Sequence, residues 1–301
     1  MTAVRVGSHT LEVANADKVL FPEEGITKGD VVDYYRRIAD LMVPRLEGRP
    51  LALHRFPDGI KGDGFFQKSA PEYFPDWIET VELRRERGGT VTHVVCDDAA
   101  TLVYLAEQAV LVPHRLLVAA TAPRNPVEVV VDLDPAGDDP RTVRLAGRIL
   151  RDLLAEIGVT SFVKSTGSKG LHIHIPLDGS DGFDEARAFA RDLARALVDR
   201  EPDRLTVEQR KVNRKGRLFV DWLRNSYGQH AVAPYSLRAL PGAPVAVPLD
   251  WDEATSDQFD PRRYRLSNVF RRVGRKRDPW QRISREAQSV PEAASRLRRT
   301  R

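Results

Sequence analysis

The chain has 301 residues, 42% of them hydrophobic and 30% charged, with one cysteine and a formal net charge of +4. This excludes collagen-like, disulfide-stapled and wholly disordered classes and suits one large domain or two modest ones. A lone Cys96 forms no internal bridge, no apolar run approaches the ~20 residues of a membrane span, and MTAVRVGSHTLEV holds no apolar signal core, so a cytosolic protein with no membrane partner is expected.

The charge is uneven. Residues 271–301 carry eleven Arg and Lys against Asp278, Glu286 and Glu292, a net +8 that leaves −4 on the preceding 270 residues. A basic segment on a slightly acidic body suits a polyanionic partner, and equally a solvated, partly helical surface.

Along residues 1–50 a short strand-like start precedes one helix, capped by Thr27, with Val31, Tyr34, Tyr35, Ile38, Leu41 and Met42 at helical spacing for the core. Residues 51–125 alternate β-like runs (LALHRF, THVVC) with Gly- and Pro-rich turns, and LVYLAEQAVL fits a helix or a strand. VEVVVDLDP predicts a strand stopped by proline. AGDDPRTVRLAGRILRDLLAEIG predicts a loop followed by an amphipathic helix, and GFDEARAFARDLARALVDREP a second amphipathic helix. Between them TSFVKSTGSKGLHIHIPL reads as strand, polar turn, strand, and RLFVDWL as another strand. Pro241, Pro244, Pro248 and Pro261 mark a late stretch of little regular structure. The sum is an α+β fold with central antiparallel or mixed sheets flanked by helices. A domain over 1–270, with an N-terminal subregion 1–125, and a basic segment 271–301 are expected.

The sharpest feature is Asp132-Leu133-Asp134-Pro135. Alternate strand residues share a face, so both aspartates project one way while Val129, Val131 and Leu133 face the core. Two carboxylates about 7 Å apart repel, and a divalent cation between them relieves that cost. A solvent-exposed strand end fits the same residues. Asp221, inside the apolar run LFVDWL, needs a partner: a salt bridge to Arg217 or Arg224, or a shared cation. Ser165-Thr166-Gly167-Ser168-Lys169-Gly170 offers hydroxyls, two glycines and a lysine, a nest for a triphosphate or a plain hairpin turn. It does not match the Walker pattern. His172 and His174 share one strand face, but with one cysteine and no H-x-E…C-x-x-C pattern zinc is set aside.

In combination these motifs resemble the primase-polymerase domain of bacterial ATP-dependent DNA ligase D, of the archaeo-eukaryotic primase superfamily. The likeness spans roughly Leu11 to Arg265 and includes ADKVLFPEEGITKGDVVDYY, RPLALHRFPDGIKGDGFFQKSAP and PYSLRALPGAPVAVPL. It implies a primase-polymerase-like core, with Asp132, Asp134 and Asp221 as catalytic ligands of two Mn²⁺ or Mg²⁺ ions. It also implies triphosphate contacts from Thr166, Lys169 and His172 in the turn that Ser165 opens, with Arg224 and Arg238 nearby. Arg55 falls in the family's Arg-Phe-Pro context. Phe65 and Phe66 match aromatics, one of which stacks on the nucleotide base and one of which supports the template. His114 matches a histidine linked to the sugar 2′-hydroxyl. Asn15, Lys18 and Lys28 match a pocket for the 5′-phosphate of a downstream strand. The resemblance further implies template-directed extension of a primer 3′-hydroxyl, ribonucleotide preference, and gap filling at double-strand breaks in a bacterial, nucleoid-associated setting. Partners would be gapped or broken DNA, nucleoside triphosphates, a separate DNA ligase and an end-binding protein. A two-metal nuclease and a non-catalytic DNA-binding module share parts of this residue set.

Overall fold

The computed structural model describes residues 2–300, which form two compact units. The first comprises the chain up to Thr121 together with His230–Ala246 and Tyr264–Arg271. The second comprises Ala122–Gln229, Val247–Arg263 and the chain from Arg272 onward.

In the first unit a helix, Lys28–Leu46, begins at a capping box. The Thr27 hydroxyl accepts from the Asp30 amide while the Asp30 carboxylate accepts from the Thr27 amide. Val31, Tyr34, Tyr35, Ile38, Met42 and Leu46 are buried, whereas Leu41 lies at the edge of the core. The two tyrosine hydroxyls donate to backbone carbonyls, Tyr34 to Tyr235 at 2.6 Å and Tyr35 to Leu111 at 2.7 Å, so neither ring leaves a buried donor unmet. The ambiguous run LVYLAEQAVL divides. A helix, Ala99–Glu107, capped by Asp98, stops where Ala109 turns into the left-handed region at φ 59°, and a strand runs Val110–Leu116. That strand is central in an antiparallel sheet ordered His230–Val232, Val110–Leu116, Leu51–Arg55, Phe65–Gln67.

The second unit is built on a six-stranded sheet: Leu205–Thr206, Leu218–Asp221, Glu128–Asp134, Leu171–Pro176, Phe162–Ser165, Pro248–Leu249. Only the first pair is parallel, so the sheet is mixed. Val129, Val131, Leu133, Leu171, Ile173 and Ile175 occupy one face. The helices Pro140–Glu156 and Phe183–Arg200 pack on the Glu128–Asp134 strand, burying Val143, Ala146, Leu150, Leu153 and Leu154 from one and Phe189, Leu193 and Leu197 from the other. Burial of that many aliphatic side chains is the main driving force for this layer. The basic C-terminal segment is part of this unit. Trp280 is fully buried, donates from Nε1 to the Val163 carbonyl at 3.0 Å and lies 4.7 Å from the His174 ring. Val290, Ala293 and Leu297 are buried from the helix Val290–Arg298. Among the described residues, no helix is long and apolar enough to cross a membrane.

Candidate active site

The three acidic residues meet on the sheet of the second unit. Asp132 sits directly opposite Asp221 in the antiparallel register, and opposed residues project to the same face. Asp134, two positions on, shares it. On its other side Asp132 opposes His172, which opposes Lys164. Asp221, Asp132, His172 and Lys164 therefore form one row of ionisable groups across four strands, on the face turned away from the two long helices.

The strand Leu218–Asp221 ends at its aspartate, and this lets Arg224 reach back. Its guanidinium lies 2.9 Å from Asp132 Oδ2 and 3.6 Å from Asp221 Oδ2. On an unbroken strand Arg224 would point to the opposite face from Asp221. Asn225 completes the turn. Its side-chain oxygen accepts from the Val130 amide at 2.8 Å and its NH₂ donates to the Val130 carbonyl at 2.7 Å, replacing the strand partner that Val130 lacks beyond Asp221. Arg214 supplies a second cation, with Nη1 3.2 Å from Asp134 Oδ2 and its guanidinium 4.0 Å from the Phe219 ring centroid.

These contacts treat the carboxylates unequally. Burial works against the Asp132 charge, but its contact with His172, a hydrogen bond included, and the Arg224 guanidinium hold its carboxyl well below the usual carboxylate range. Burial and the neighbouring Asp132 and Asp134 charges raise the Asp221 carboxyl, with Arg224 opposing. Burial and Lys164 push His172 down to about 3, so at neutral pH its ring is uncharged beside Asp132, with Nε2 3.3 Å from Oδ2.

Among the described residues, no three His, Cys, Asp or Glu side chains are already gathered at metal-binding distance. The donor chemistry nevertheless fits a hard divalent cation: three carboxylates on one face, one of them raised by burial and by its like-charged neighbours. Arg224 and Arg214 now engage the oxygens that such a cation would use.

The Gly-Lys turn lies against this row. A Cβ at Gly170 would fall 1.9 Å from the Leu133 carbonyl oxygen, so only glycine lets the turn close on the backbone between Asp132 and Asp134. Thr166 Oγ1 accepts from the Ser168 and Gly170 amides at 3.2 and 3.1 Å, which assigns it to shaping the turn. Lys169 is partly exposed, 3.2 Å from Asp138. Ser165 is a correction to the sequence reading. It falls on the opposite sheet face with Leu171, fully buried, and its hydroxyl accepts from the Val247 amide at 3.1 Å.

The remaining nucleotide-site candidates belong to the first unit, and its sheet sorts them by face. Phe66 opposes His54, while Arg55 opposes Phe65 on the reverse side. Phe66 stacks on His54 (centroids 4.2 Å, planes 13° apart) and meets the rings of His114 and His230 at 5.2 and 5.1 Å. Burial, followed by the charge of Arg238, lowers the His54 pKa. The two phenylalanines therefore project to opposite faces of the sheet, Phe66 with the histidines and Phe65 with Arg55. Arg55 donates to the Gln108 carbonyl at 2.8 Å, to Gln67 at 2.6 Å and to the Tyr73 hydroxyl at 2.8 Å, which makes it a strut of the opposite face.

Asn15, Lys18 and Lys28 are neighbours. The Asn15 carbonyl accepts from the Lys18 amide, and the Lys18 carbonyl from the Lys28 amide. Their ammonium groups differ. Lys18 is exposed and paired with Asp58 at 2.8 Å, whereas Lys28 is mostly buried between Glu107 (2.7 Å) and the Ala14 carbonyl (2.8 Å).

Sequence reasoning missed Arg214, Asn225, His54 and His230. Arg214 lies in the polar run VEQRKVNRKGR, which carries no periodic signal; Asn225 acquires its role through the Val130 backbone 95 positions away, and His54 and His230 through cross-strand pairing.

Sheet order, acidic row and glycine turn define a class: a mixed-sheet α+β domain that sets three carboxylates on one sheet face beside a tight glycine turn. The family model for the LigD primase-polymerase domain matches residues 27–280, and the chain belongs to that family. Relatives include the multifunctional non-homologous end joining DNA repair protein LigD of Mycobacterium tuberculosis, 37% identical over 96% of this chain and 39% of that protein. The bifunctional non-homologous end joining protein LigD of Bacillus subtilis is 31% identical over 94% of this chain and 46% of that protein. The chain therefore spans less than half the length of these relatives. Among solved structures, the polymerase domain of M. tuberculosis ligase D in complex with DNA superposes with a TM-score of 0.85 at 34% identity, covering 92% of this chain and 99% of that one.

Proposed function

We propose that the chain is a template-directed nucleotidyltransferase that extends a primer 3′-hydroxyl with nucleoside triphosphates, filling gaps during end joining of broken DNA. The observation that carries this is the register that sets Asp132 against Asp221, with Asp134 on the same face and the Gly170 turn pressed between them. Membership of the family and the likeness to a DNA-bound polymerase domain support it. A nuclease shares the carboxylates but has no use for a triphosphate nest.

Asp132, Asp134 and Asp221 would hold the divalent cations, Mg²⁺ or Mn²⁺. Such cations, when bound, activate the attacking hydroxyl and neutralise the leaving pyrophosphate. Thr166 keeps the turn amides in place, and Lys169 exchanges its exposed Asp138 partner for phosphate oxygen. His172, uncharged and hydrogen-bonded to Asp132, fixes the rotamer of that carboxylate. In the first unit, Phe66 offers a half-exposed ring to a base of any identity. His114, beside it, takes the sugar 2′-hydroxyl, and Lys18 and Lys28 take a 5′-phosphate. A separate ligase and an end-binding protein complete the proposed setting.

The test is extension of a labelled primer on gapped DNA with ribonucleotides and Mn²⁺ or Mg²⁺. The chain should lengthen the primer, and Asp134→Ala should abolish lengthening while DNA binding persists. Undiminished extension by Asp134→Ala would refute the carboxylate assignment. Shortening of the primer by the unaltered chain would replace the polymerase with a nuclease.

A further inference from the structure

The face of the first unit's sheet that carries Phe66 holds three histidines, and two of them touch. His114 Nδ1 lies 3.1 Å from His230 Nδ1, with the rings 4.9 Å apart and nearly perpendicular at 88°. The register explains the contact. His114 opposes Val232, and His230 is two positions along the same edge strand, so both side chains leave one face as diagonal neighbours.

Two imidazole nitrogens at that distance share a single proton. One ring donates from Nδ1–H, and the other accepts on its Nδ1 lone pair and carries its own proton on Nε2. The donor or acceptor state of His114 Nε2 is therefore coupled to the tautomer of His230. The same contact fixes the plane of the His114 ring, and Phe66 braces both rings from the side at 5.2 and 5.1 Å. A hydroxyl-recognising imidazole needs a defined tautomer and a defined plane, because hydrogen bonds weaken steeply with angle.

We propose that His230 is a positioning residue for His114, and that through this nitrogen–nitrogen contact it sets the discrimination between ribonucleotides and deoxyribonucleotides. The inference rests on the reading of His114 as the sugar-hydroxyl contact, and the experiment separates the two.

The measurement is kcat/KM for one ribonucleotide and its deoxy counterpart on a single gapped template, expressed as a ratio, for the unaltered chain and for His114→Ala, His230→Phe and His230→Gln. His114→Ala should collapse the ratio. His230→Phe, which keeps a ring against Phe66 but has no polar atom, should lower the ratio about fivefold, the worth of one oriented hydrogen bond. That loss should come through a higher KM for the ribonucleotide, with deoxynucleotide incorporation unchanged. His230→Gln, which can again hydrogen-bond to Nδ1, should restore most of the ratio. If His114→Ala collapses the ratio and His230→Phe leaves it intact, the role of His230 is overturned while that of His114 stands. An equal loss on both nucleotides that His230→Gln does not rescue also overturns it, by showing a purely structural part. If His114→Ala leaves the ratio unmoved, the sugar contact itself falls, and the inference with it.

Discussion

Replacing Gly170 with alanine tests whether the turn and the acidic strand are in hard contact. The added methyl would lie 1.9 Å from the Leu133 carbonyl oxygen and 3.4 Å from Pro135. Ordinary carbon–oxygen contact lies beyond 3 Å, so backbone must move by more than an ångström. Neither side yields easily. Leu133 and Leu171 are fully buried, and Gly170 itself is tied by its amide to Thr166 Oγ1 and by its carbonyl to the Thr166 amide. Overpacking of a rigid site costs about 1–3 kcal/mol, and backbone against backbone belongs at the upper end. With an m-value of roughly 3 kcal/mol/M, that lowers the urea midpoint by about 1 M. Tryptophan fluorescence reads the right unit, since Trp222, Trp251 and Trp280 lie in it and only Trp77 in the other. Gly137→Ala is the control: its Cβ meets nothing within 4 Å, and the midpoint should hardly move. Extension should fall in Gly170→Ala alone, because the strain lands between Asp132 and Asp134. A Gly170→Ala protein with the midpoint and activity of the Gly137→Ala control would show that the turn does not press on the strand.

Two further outcomes follow from contacts inside single units. Asn225→Ala strands the buried amide and carbonyl of Val130; at ~1–3 kcal/mol for each unmet group, destabilisation of about 2–6 kcal/mol is expected in urea unfolding, together with faster hydrogen exchange at the Val130 amide, and an unchanged midpoint would remove the surrogate-strand role. Glu107→Gln takes the negative charge from the Lys28 ammonium, so affinity for gaps bearing a 5′-phosphate should rise about tenfold with no gain on unphosphorylated gaps; equal effects on both would dismiss Lys28 as a phosphate ligand.

Long amphipathic helices were plain in the amino-acid order, because Pro140–Glu156 and Phe183–Arg200 repeat their apolar residues with the helical period and bury them against a sheet. The Asp-x-Asp strand and the strand–turn–strand around Lys169 were equally legible, since alternation and glycine placement are local properties. The boundary between the Ala99–Glu107 helix and its following strand was not. It depends on Ala109 adopting a positive φ that nothing in LVYLAEQAVL announces. Faces were legible and neighbours were not. Alternation puts Phe65 and Phe66 on opposite sides of a strand, but only pairing with Leu51–Arg55 shows which side holds the histidines. Arg214 and Asp134 are eighty positions apart, and His114 and His230 more than a hundred. Such pairs leave no trace in a single sequence.

The docking of Trp280 bears on how this protein is cut or fused. The step in charge near residue 271 invites a truncation there, yet the indole plugs the sheet between Phe162 and His174 and the last helix lies against Phe183–Arg200. A fragment ending at Arg271 would expose the flank of the strands that carry Lys164 and His172. Any junction engineered onto this module belongs beyond Leu297, the last buried side chain among the described residues.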